Sequence, residues 1–390
     1  MAVSQDIDTV LLKVASRCNL NCTYCYVYNM GDDSWRSQPK RMPVAVIDSV
    51  VDQLAALSHS QERPLSVVMH GGEPLLLGLE RISYLVRKLR GALRPDAGVH
   101  VQTNGVLLSD RFIEMFAEHD VGVSISFDGP VHDSNRLDLG GRGSHDRVVA
   151  GISRLREHPA GERIFGGLLA VVDPSSDPAL VYDALKTTGA PSFDFLYRDG
   201  NHTTLPFGKA SLTSTEYGDW MIKVAECYLA DPRPPRIRIL DDLMRLILGG
   251  HGQKEGVGVT EYGIIVIDTD GTLTKNDTLK VAYAGGDQFE EIHNVSDLDL
   301  LGFLAQEDVS SYYALQEPTS PVCCRCPELG VCGAGMPAHR WSEENGYDNP
   351  TIFCADQEAL IGYLRRRLRP APSSESRAER APTILHVVHG

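Results

Sequence analysis

Six short runs of β-branched or apolar residues alternate with segments of helical periodicity along the first half of the chain. Runs of this length suit buried strands, and apolar positions spaced by three or four residues are typical of amphipathic helices. The predicted strands are residues 9–15, 65–69, 98–102, 121–127, 164–172 and 193–197. Repeated strand-then-helix units predict an α/β fold with a parallel sheet, either a partial β/α barrel or a doubly wound sheet.

Distinctive short motifs follow four of the predicted strands. Both candidate architectures place their chemistry in the loops at the carboxyl ends of parallel strands. The motifs in those loops are Arg17-Cys18, Gly71-Gly72-Glu73-Pro74, Thr103-Asn104-Gly105 and Asp128-Gly129-Pro130. The pattern therefore predicts a functional site at this edge of the sheet.

The pattern changes after the sixth predicted strand. A helix whose apolar face includes Cys227 comes first, and we expect this cysteine to pack in the core. A hairpin signal follows, in which residues 262–267 precede a turn at residues 268–271. The chain is then rich in turns and cysteine, which suits a small domain organised by metal. We predict a first domain at residues 8–235, a second at 236–365 and a flexible Pro/Ser/Arg-rich tail at 366–390.

Composition and charge narrow the classes of function. The chain has 390 residues, nine cysteines and a formal net charge of −15. This acidity disfavours nucleic-acid binding, which requires concentrated Lys and Arg. The sequence has neither a membrane-spanning apolar run nor a signal segment after Met1, so we expect a cytoplasmic protein that does not bind membranes. In that compartment clustered cysteines bind metal more often than they form disulfides.

Three cysteines near the start of the chain have the spacing Cys18-x3-Cys22-x2-Cys25. An iron–sulfur cubane contains four irons, so three cysteine ligands leave one iron open to a small molecule. A zinc knuckle requires a fourth ligand, and no His or Cys follows within about thirty residues. The spacing favours a three-cysteine cluster with an open position.

This cysteine loop, in the form Cys18-Asn-Leu-Asn-Cys22-Thr-Tyr-Cys25, resembles that of radical S-adenosylmethionine (SAM) enzymes, and Gly71-Gly72-Glu73-Pro74 resembles their GGEP motif. The resemblance implies a partial (β/α)6 barrel, SAM as cofactor and one [4Fe–4S] cluster on the three cysteines. In this family the glycines give the bound methionine group room, and the glutamate supplies charge. The implied cofactor contacts are Tyr24, Gly71, Gly72, Glu73, Asn104, Ser126 and Arg147. A surface role is the alternative for Arg147.

The C-terminal cysteines resemble the SPASM extension of radical enzymes that modify ribosomal peptides. This resemblance implies one auxiliary [4Fe–4S] cluster, held entirely by Cys323, Cys326, Cys332 and Cys354. The usual second auxiliary cluster is expected to be missing, because Asn276 and Met336 occupy the places of two of its cysteines. Cys324 is expected to be a bystander. A four-cysteine zinc ribbon is the alternative.

Asp277 directly follows one of these vacated positions. The resemblance implies that an acid at this place can accept a proton from the substrate, which makes Asp277 a candidate general base. A plain turn residue is the alternative, because Lys275-Asn276-Asp277 has the composition of a turn.

The more detailed likeness is to the Fxs-type cyclophane-forming maturases, through segments such as Tyr26-Val-Tyr-Asn-Met30 and His339-Arg340-Trp341. It implies that a ribosomally synthesised precursor peptide is cross-linked from an aromatic ring to the β-carbon of a nearby residue. It also implies an external electron donor of the flavodoxin or ferredoxin type. The alternatives are formylglycine formation, as in sulfatase maturases, thioether formation, and a zinc-stabilised binding protein without enzymatic activity.

Overall fold

A ten-stranded sheet organises the part of the chain that the computed structural model describes, which is residues 6–253, 255–259 and 263–368. The strands are β1 (Thr9–Ala15), β2 (Leu20–Cys22), β3 (Ser66–Gly71), β4 (Gly98–Thr103), β5 (Gly122–Ser126), β6 (Arg136–Asp138), β7 (Phe165–Val171), β8 (Ser192–Leu196), β9 (Arg236–Ile237), β10 (Ile264–Ile267), β11 (Thr272–Thr274) and β12 (His293–Asn294). Their order in the sheet is β12-β11-β10-β1-β3-β4-β5-β7-β8-β9. Strands β2 and β6 form a separate antiparallel pair.

Helices cover this sheet. They are α1 (Tyr26–Asn29), α2 (Val44–Ser60), α3 (Leu79–Ala92), α4 (Asp110–Glu118), α5 (His132–Asn135), α6 (His145–Glu157), α7 (Gly161–Ile164), α8 (Pro178–Thr187), α9 (Glu216–Ala230), α10 (Arg238–Ile247), α11 (Leu300–Leu304), α12 (Glu307–Ala314), α13 (Pro321–Cys324), α14 (Leu329–Cys332) and α15 (Cys354–Leu368). Among the described helices, none combines the length and apolarity that crossing a bilayer requires.

The predicted α/β fold is confirmed. All six predicted strands are present, with ends that move by at most two residues, and they pair in parallel from β1 to β8. Their apolar side chains form the core; Val10, Leu12 and Val14 of β1, for example, are completely buried. Cys227 on α9 packs against this core, as predicted.

The predicted hairpin extends the same sheet on its other edge. Strand β10 pairs in parallel with β1, and β11 returns antiparallel to β10 across the predicted turn. The sheet therefore continues past residue 235, and independent folding of the two predicted domains stays a prediction. The predicted tail lies outside the described residues from residue 369 onward.

A buried ion pair fixes the helix that begins at Cys354. Asp356 accepts from Lys209 Nζ at 2.6 Å, and both side chains are fully buried. The other carboxylate oxygen of Asp356 accepts from the Gly218 N–H of α9 at 2.8 Å. A Cβ at Gly218 would lie 2.7 Å from the Asp356 Cα, so the two helices are in close backbone contact.

We predict that Asp356→Ala lowers the free energy of unfolding by about 3–5 kcal/mol, because Lys209 would be left buried without a counter-charge. Urea denaturation of the reduced protein under anaerobic conditions measures this loss. Glu358→Ala, at an exposed position of the same helix, is the control and should change stability by less than about 0.5 kcal/mol. Equal effects of the two substitutions would contradict an anchoring role for the ion pair.

Candidate active site

A cavity of about 220 Å³ lies at the carboxyl ends of the central parallel strands. Loops after β1, β3 and β4 and the ends of β5 and β8 form its walls. The predicted site residues that line it are Cys18, Cys22, Tyr24, Cys25, Gly71, Gly72, Asn104 and Ser126. The parallel sheet thus brings residues from distant parts of the sequence to one place.

Three thiols form one wall of this cavity. The pairing of β2 with β6 holds their loop and places Cys22 opposite Arg136. The Cys25 N–H donates to Cys22 O at 3.0 Å and closes a tight turn between the second and third cysteines. Burial raises the pKa of the Cys18 thiol to about 12 and that of the Cys22 thiol to about 11. Such thiols ionise when a positive metal centre binds them.

The three thiols suit a metal cluster better than a single ion. Among the described side chains, no three His, Cys, Asp or Glu groups converge closely enough to hold one metal ion. In an iron–sulfur cubane each cysteine binds a different iron atom, so the ligand sulfurs remain apart. No fourth cysteine of the described chain lines the cavity, which fits a cubane with one open iron.

Two glycines allow the loop after β3 to touch the segment that leads into the cysteine loop. A Cβ at Gly72 would lie 2.5 Å from Arg17 O, and a Cβ at Gly71, where φ is +142°, would lie 2.1 Å from Ala15 O. Hydrogen bonds join the backbones instead, from Gly72 N–H to Ala15 O at 2.8 Å and from Glu73 N–H to Arg17 O at 3.0 Å. Much of the room that these glycines leave is therefore filled by protein backbone.

Glu73 is fully buried and is not among the described residues that line the cavity. Its carboxylate accepts from Leu75 N–H at 3.0 Å, Thr103 Oγ1 at 2.7 Å and Asn104 N–H at 2.8 Å. Burial raises the pKa of Glu73 although these three donors oppose the rise. Glu73 thus joins the loops after β3 and β4, and the charge that it would offer to the cofactor stays a prediction.

Tyr24 is held between two guanidinium groups at the cavity wall. Its hydroxyl donates to Asp128 Oδ2. The Arg136 and Arg198 Cζ atoms lie 5.4 and 5.3 Å from the centre of its ring, within the range of cation–π contact. Arg136 Nε also donates to Asp128 Oδ2, at 2.9 Å, and Arg198 pairs with Asp173 at 2.7 Å.

Arg147 is not among the described residues that line the cavity, and its predicted cofactor contact stays a prediction. Its side chain is 44% exposed and lies 3.4 Å from Asp138 Oδ2 on the outer surface. The cavity arginines are Arg136 and Arg198, which the sequence analysis missed. A signal was available for Arg198, because it follows the end of β8 just as the other motifs follow their strands.

Asp277 lies one side chain behind the cavity wall. Its carboxylate is 1% exposed, lies 3.0 Å from Lys13 Nζ and accepts from the Tyr26 hydroxyl at 3.0 Å. Tyr26 itself lines the cavity. Burial raises the pKa of Asp277, but the charge of Lys13 and the hydrogen bonds from Lys13 and Tyr26 outweigh it, so the pKa is lowered overall. Asp277 is therefore ionised at neutral pH and can accept a proton.

His70 adds a further polar group to the cavity. It lines the cavity, and its buried Nδ1 has no hydrogen-bond partner among the described residues. Burial lowers the pKa of His70, which favours the neutral imidazole. A neutral imidazole at the cavity wall can hydrogen-bond a bound molecule.

The C-terminal cysteines come together at a second place. Burial raises the pKa of Cys323, Cys332 and Cys354, and repulsion from neighbouring thiolates of the group, Cys326 included, raises it further. Cys324 is exposed and its thiol donates to Pro318 O at 3.5 Å, away from the group. The four cysteines are therefore neighbours, and their metal-binding role stays a prediction.

Asn276 and Met336, which occupy the two vacated cysteine positions, contact the same short segment at residues 255–256. Asn276 Nδ2 donates to Glu255 Oε1 at 2.6 Å. A Cβ at Gly256 would lie 2.9 Å from Met336 Sδ. Asn276 and Met336 therefore pack beside consecutive residues, where a hydrogen bond and a thioether fill the space. This arrangement supports the expectation that both substitutions affect the same cluster.

The comparison with known sequences agrees with the site. Residues 12–167 match the profile of the Radical SAM superfamily. A serine-type anaerobic sulfatase-maturating enzyme from Bacteroides thetaiotaomicron is 33% identical over 388 residues, and the alignment covers 90% of this chain and 85% of the relative.

Solved structures share the fold. Native anSMEcpe with bound AdoMet and the Cp18Cys peptide has a TM-score of 0.76 at 21% identity, covering 92% of this chain and 97% of that chain. Streptococcus suis SuiB bound to the precursor peptide SuiA has a TM-score of 0.57 at 12% identity, covering 85% of this chain and 72% of that one. At these identities the likeness establishes the fold.

We predict that Gly72→Ala lowers the free energy of unfolding by about 1–3 kcal/mol, because its Cβ would overlap Arg17 O. Gly91→Ala is the matched control, because a Cβ at this helical position meets nothing within 4 Å. It should leave stability unchanged or raise it by up to about 1 kcal/mol. Chemical denaturation compares the two variants, and equal stabilities would contradict the close backbone contact.

Proposed function

We propose a peptide-modifying reaction for this chain, which belongs to the radical SAM superfamily. Enzymes of this superfamily use SAM and a [4Fe–4S] cluster, and the chain is an enzyme of that class. The proposal depends above all on the three half-buried thiols that face one cavity at the carboxyl edge of the sheet.

The residues of the cavity divide into cluster ligands and cofactor contacts. Cys18, Cys22 and Cys25 would hold the cluster, and Tyr24, Gly71, Gly72, Asn104 and Ser126 would contact SAM. The candidate cations for the cofactor carboxylate are the predicted Arg147 and the two arginines that line the cavity, Arg136 and Arg198, which also pair with Asp128 and Asp173. When bound, these groups supply a 5′-deoxyadenosyl radical that removes a hydrogen atom from a C–H bond and, at the second cysteine group, an acceptor for one electron.

A peptide substrate is supported by two likenesses. A full-length relative is a sulfatase-maturating enzyme, and anSMEcpe, which has the same fold, contains a bound peptide. We propose that the peptide loses a hydrogen atom from a β-carbon, which then bonds to a nearby aromatic ring. The product has lost two hydrogen atoms, one as an atom and one as a proton and an electron. An external flavodoxin- or ferredoxin-type protein would supply electrons for SAM cleavage.

Asp277 is the proposed acceptor of the proton. Its lowered pKa keeps it ionised, and the Tyr26 hydroxyl lies between its carboxylate and the cavity. The buried Lys13 Nζ compensates the negative charge of the carboxylate before the proton arrives. Asp277 therefore accepts the proton through or beside Tyr26.

Formylglycine formation is the second candidate, because the relative at 33% identity is a serine-type sulfatase-maturating enzyme. Both candidates begin with loss of a hydrogen atom from a β-carbon. The packing of Asn276 and Met336 beside Glu255 and Gly256 supports a single auxiliary cluster. The resemblance to sulfatase maturases implies two. This difference favours the cross-link.

We predict that the small peptide encoded beside the gene, co-expressed with the enzyme, loses the mass of two hydrogen atoms. Tandem mass spectrometry should find no backbone fragments within a segment that contains an aromatic residue, because a cross-link holds the segment together. Cys22→Ala should leave the peptide unmodified. A product that reacts with a hydrazide reagent contains an aldehyde. That result would contradict the cross-link and support formylglycine formation.

We further predict that Asp277→Asn separates hydrogen abstraction from product formation. The variant should still form 5′-deoxyadenosine, but the yield of modified peptide should fall at least tenfold, because the amide cannot accept the proton. Asp268→Asn is the matched control, at a buried turn carboxylate that bonds to its own backbone neighbour Thr269. Chromatography of both products measures the ratio, and an unchanged ratio in Asp277→Asn would exclude it as the base.

A further inference from the structure

Arg340 is a cation in the interior of the cysteine-rich region. Its side chain is 1% exposed and is the largest fully buried side chain of the described chain. One terminal nitrogen donates to Leu315 O, and the buried Nε–H has no partner among the described residues. Arginine stays protonated in proteins, so this residue brings a positive charge and an unused donor into the interior.

The charge of Arg340 has no carboxylate partner among the described residues. Burial lowers its pKa, and the Cys323 thiol, when ionised, opposes this shift. The other buried Lys and Arg side chains of the described chain each pair with a buried aspartate, as in Lys13–Asp277, Arg136–Asp128, Arg198–Asp173, Lys209–Asp356 and Lys280–Asp32. A buried cation that lacks a counter-charge is strongly destabilising.

Arg340 lies between the segments that present the cysteines. Its guanidinium bonds to Leu315 O, on the stretch that leads into α13 and Cys323. The neighbouring His339 O accepts from Ile352 N–H at 2.9 Å, just before Cys354 begins α15. Arg340 and its neighbour His339 therefore bond to the stretches that lead into two of the four cysteines, Cys323 and Cys354.

We propose that Arg340 is the counter-charge of the metal–thiolate centre held by Cys323, Cys326, Cys332 and Cys354, and that it raises the reduction potential of that centre. This inference rests on the auxiliary [4Fe–4S] cluster of the proposed function. Four thiolates give such a cluster a net negative charge, and one added electron increases it. A fixed positive charge stabilises the reduced state more than the oxidised state. Arg340 thus favours transfer of one electron from the substrate radical.

A redox titration tests the proposal in the full-length chain. The parent protein carries Cys18→Ala, Cys22→Ala and Cys25→Ala, so that only the C-terminal cluster gives an electron paramagnetic resonance signal on reduction with dithionite. Arg340→Gln should lower the equilibrium constant for reduction at least tenfold, a shift of about 59 mV for one electron. Arg340→Lys keeps the charge and should stay close to the parent.

Arg366→Gln is the matched control. It removes the same charge from an exposed position on α15, about 18 Å along the helix from Cys354, and should leave the potential unchanged. If Arg340→Gln holds the full iron content and its reduction potential is unchanged, the role of Arg340 is overturned and the auxiliary cluster of the proposed function is not. Zinc instead of iron at these cysteines would overturn both this inference and the auxiliary cluster of the proposed function.

Thermal unfolding decides the case in which Arg340→Gln takes up little iron. The cluster-free variant should unfold at the same temperature as the cluster-free parent or at a higher one, because an uncompensated buried charge has been removed. A cluster-free variant that unfolds at a lower temperature than the cluster-free parent would mean that Arg340 only supports the packing, and would overturn the proposal.

Discussion

The backbone contact between the turn at Gly71–Glu73 and the segment that precedes Cys18 is the constraint on which the site depends. Two hydrogen bonds join these segments, and only glycine can occupy the positions where they touch. Glu73 then bonds to Thr103 and Asn104 and so positions the next loop. The cysteine loop, the GGEP turn and the loop after β4 therefore form one rigid wall of the cavity, and a change in any of them moves the others.

Buried ion pairs hold the remaining parts in place. Asp128 joins Tyr24 to Arg136, so one carboxylate positions both an aromatic ring and a cation at the cavity. Lys13 on the central strand β1 reaches Asp277, far along the chain. Such pairs are costly to desolvate and effective only when their geometry is maintained. Two of them, Lys13–Asp277 and Lys209–Asp356, join the first part of the chain to the C-terminal region.

The direction of individual side chains is what the sequence analysis did not predict. Motif likeness located the loops correctly but did not say which way a side chain points within them. The carboxylate of Glu73, for example, accepts three hydrogen bonds. One comes from Leu75 in its own turn, and two come from the end of β4 and the loop that follows it. Arg147 sits at the start of α6 and pairs with Asp138 at the surface, whereas Arg136 reaches the cavity from the short strand β6. Side-chain direction depends on such local pairing.

The sequence by itself determined the strand-then-helix order, the place of the site at the carboxyl ends of the strands and the division of the cysteines into two groups. These properties follow from local periodicity and spacing, which depend only on the order of residues in the sequence. Only the tertiary structure decided that Tyr26 stands between Asp277 and the cavity, that Arg136 and Arg198 flank Tyr24, and that Arg340 is buried without a carboxylate. Each of these depends on contacts between residues far apart in sequence, and burial and charge pairing exist only once the chain has folded.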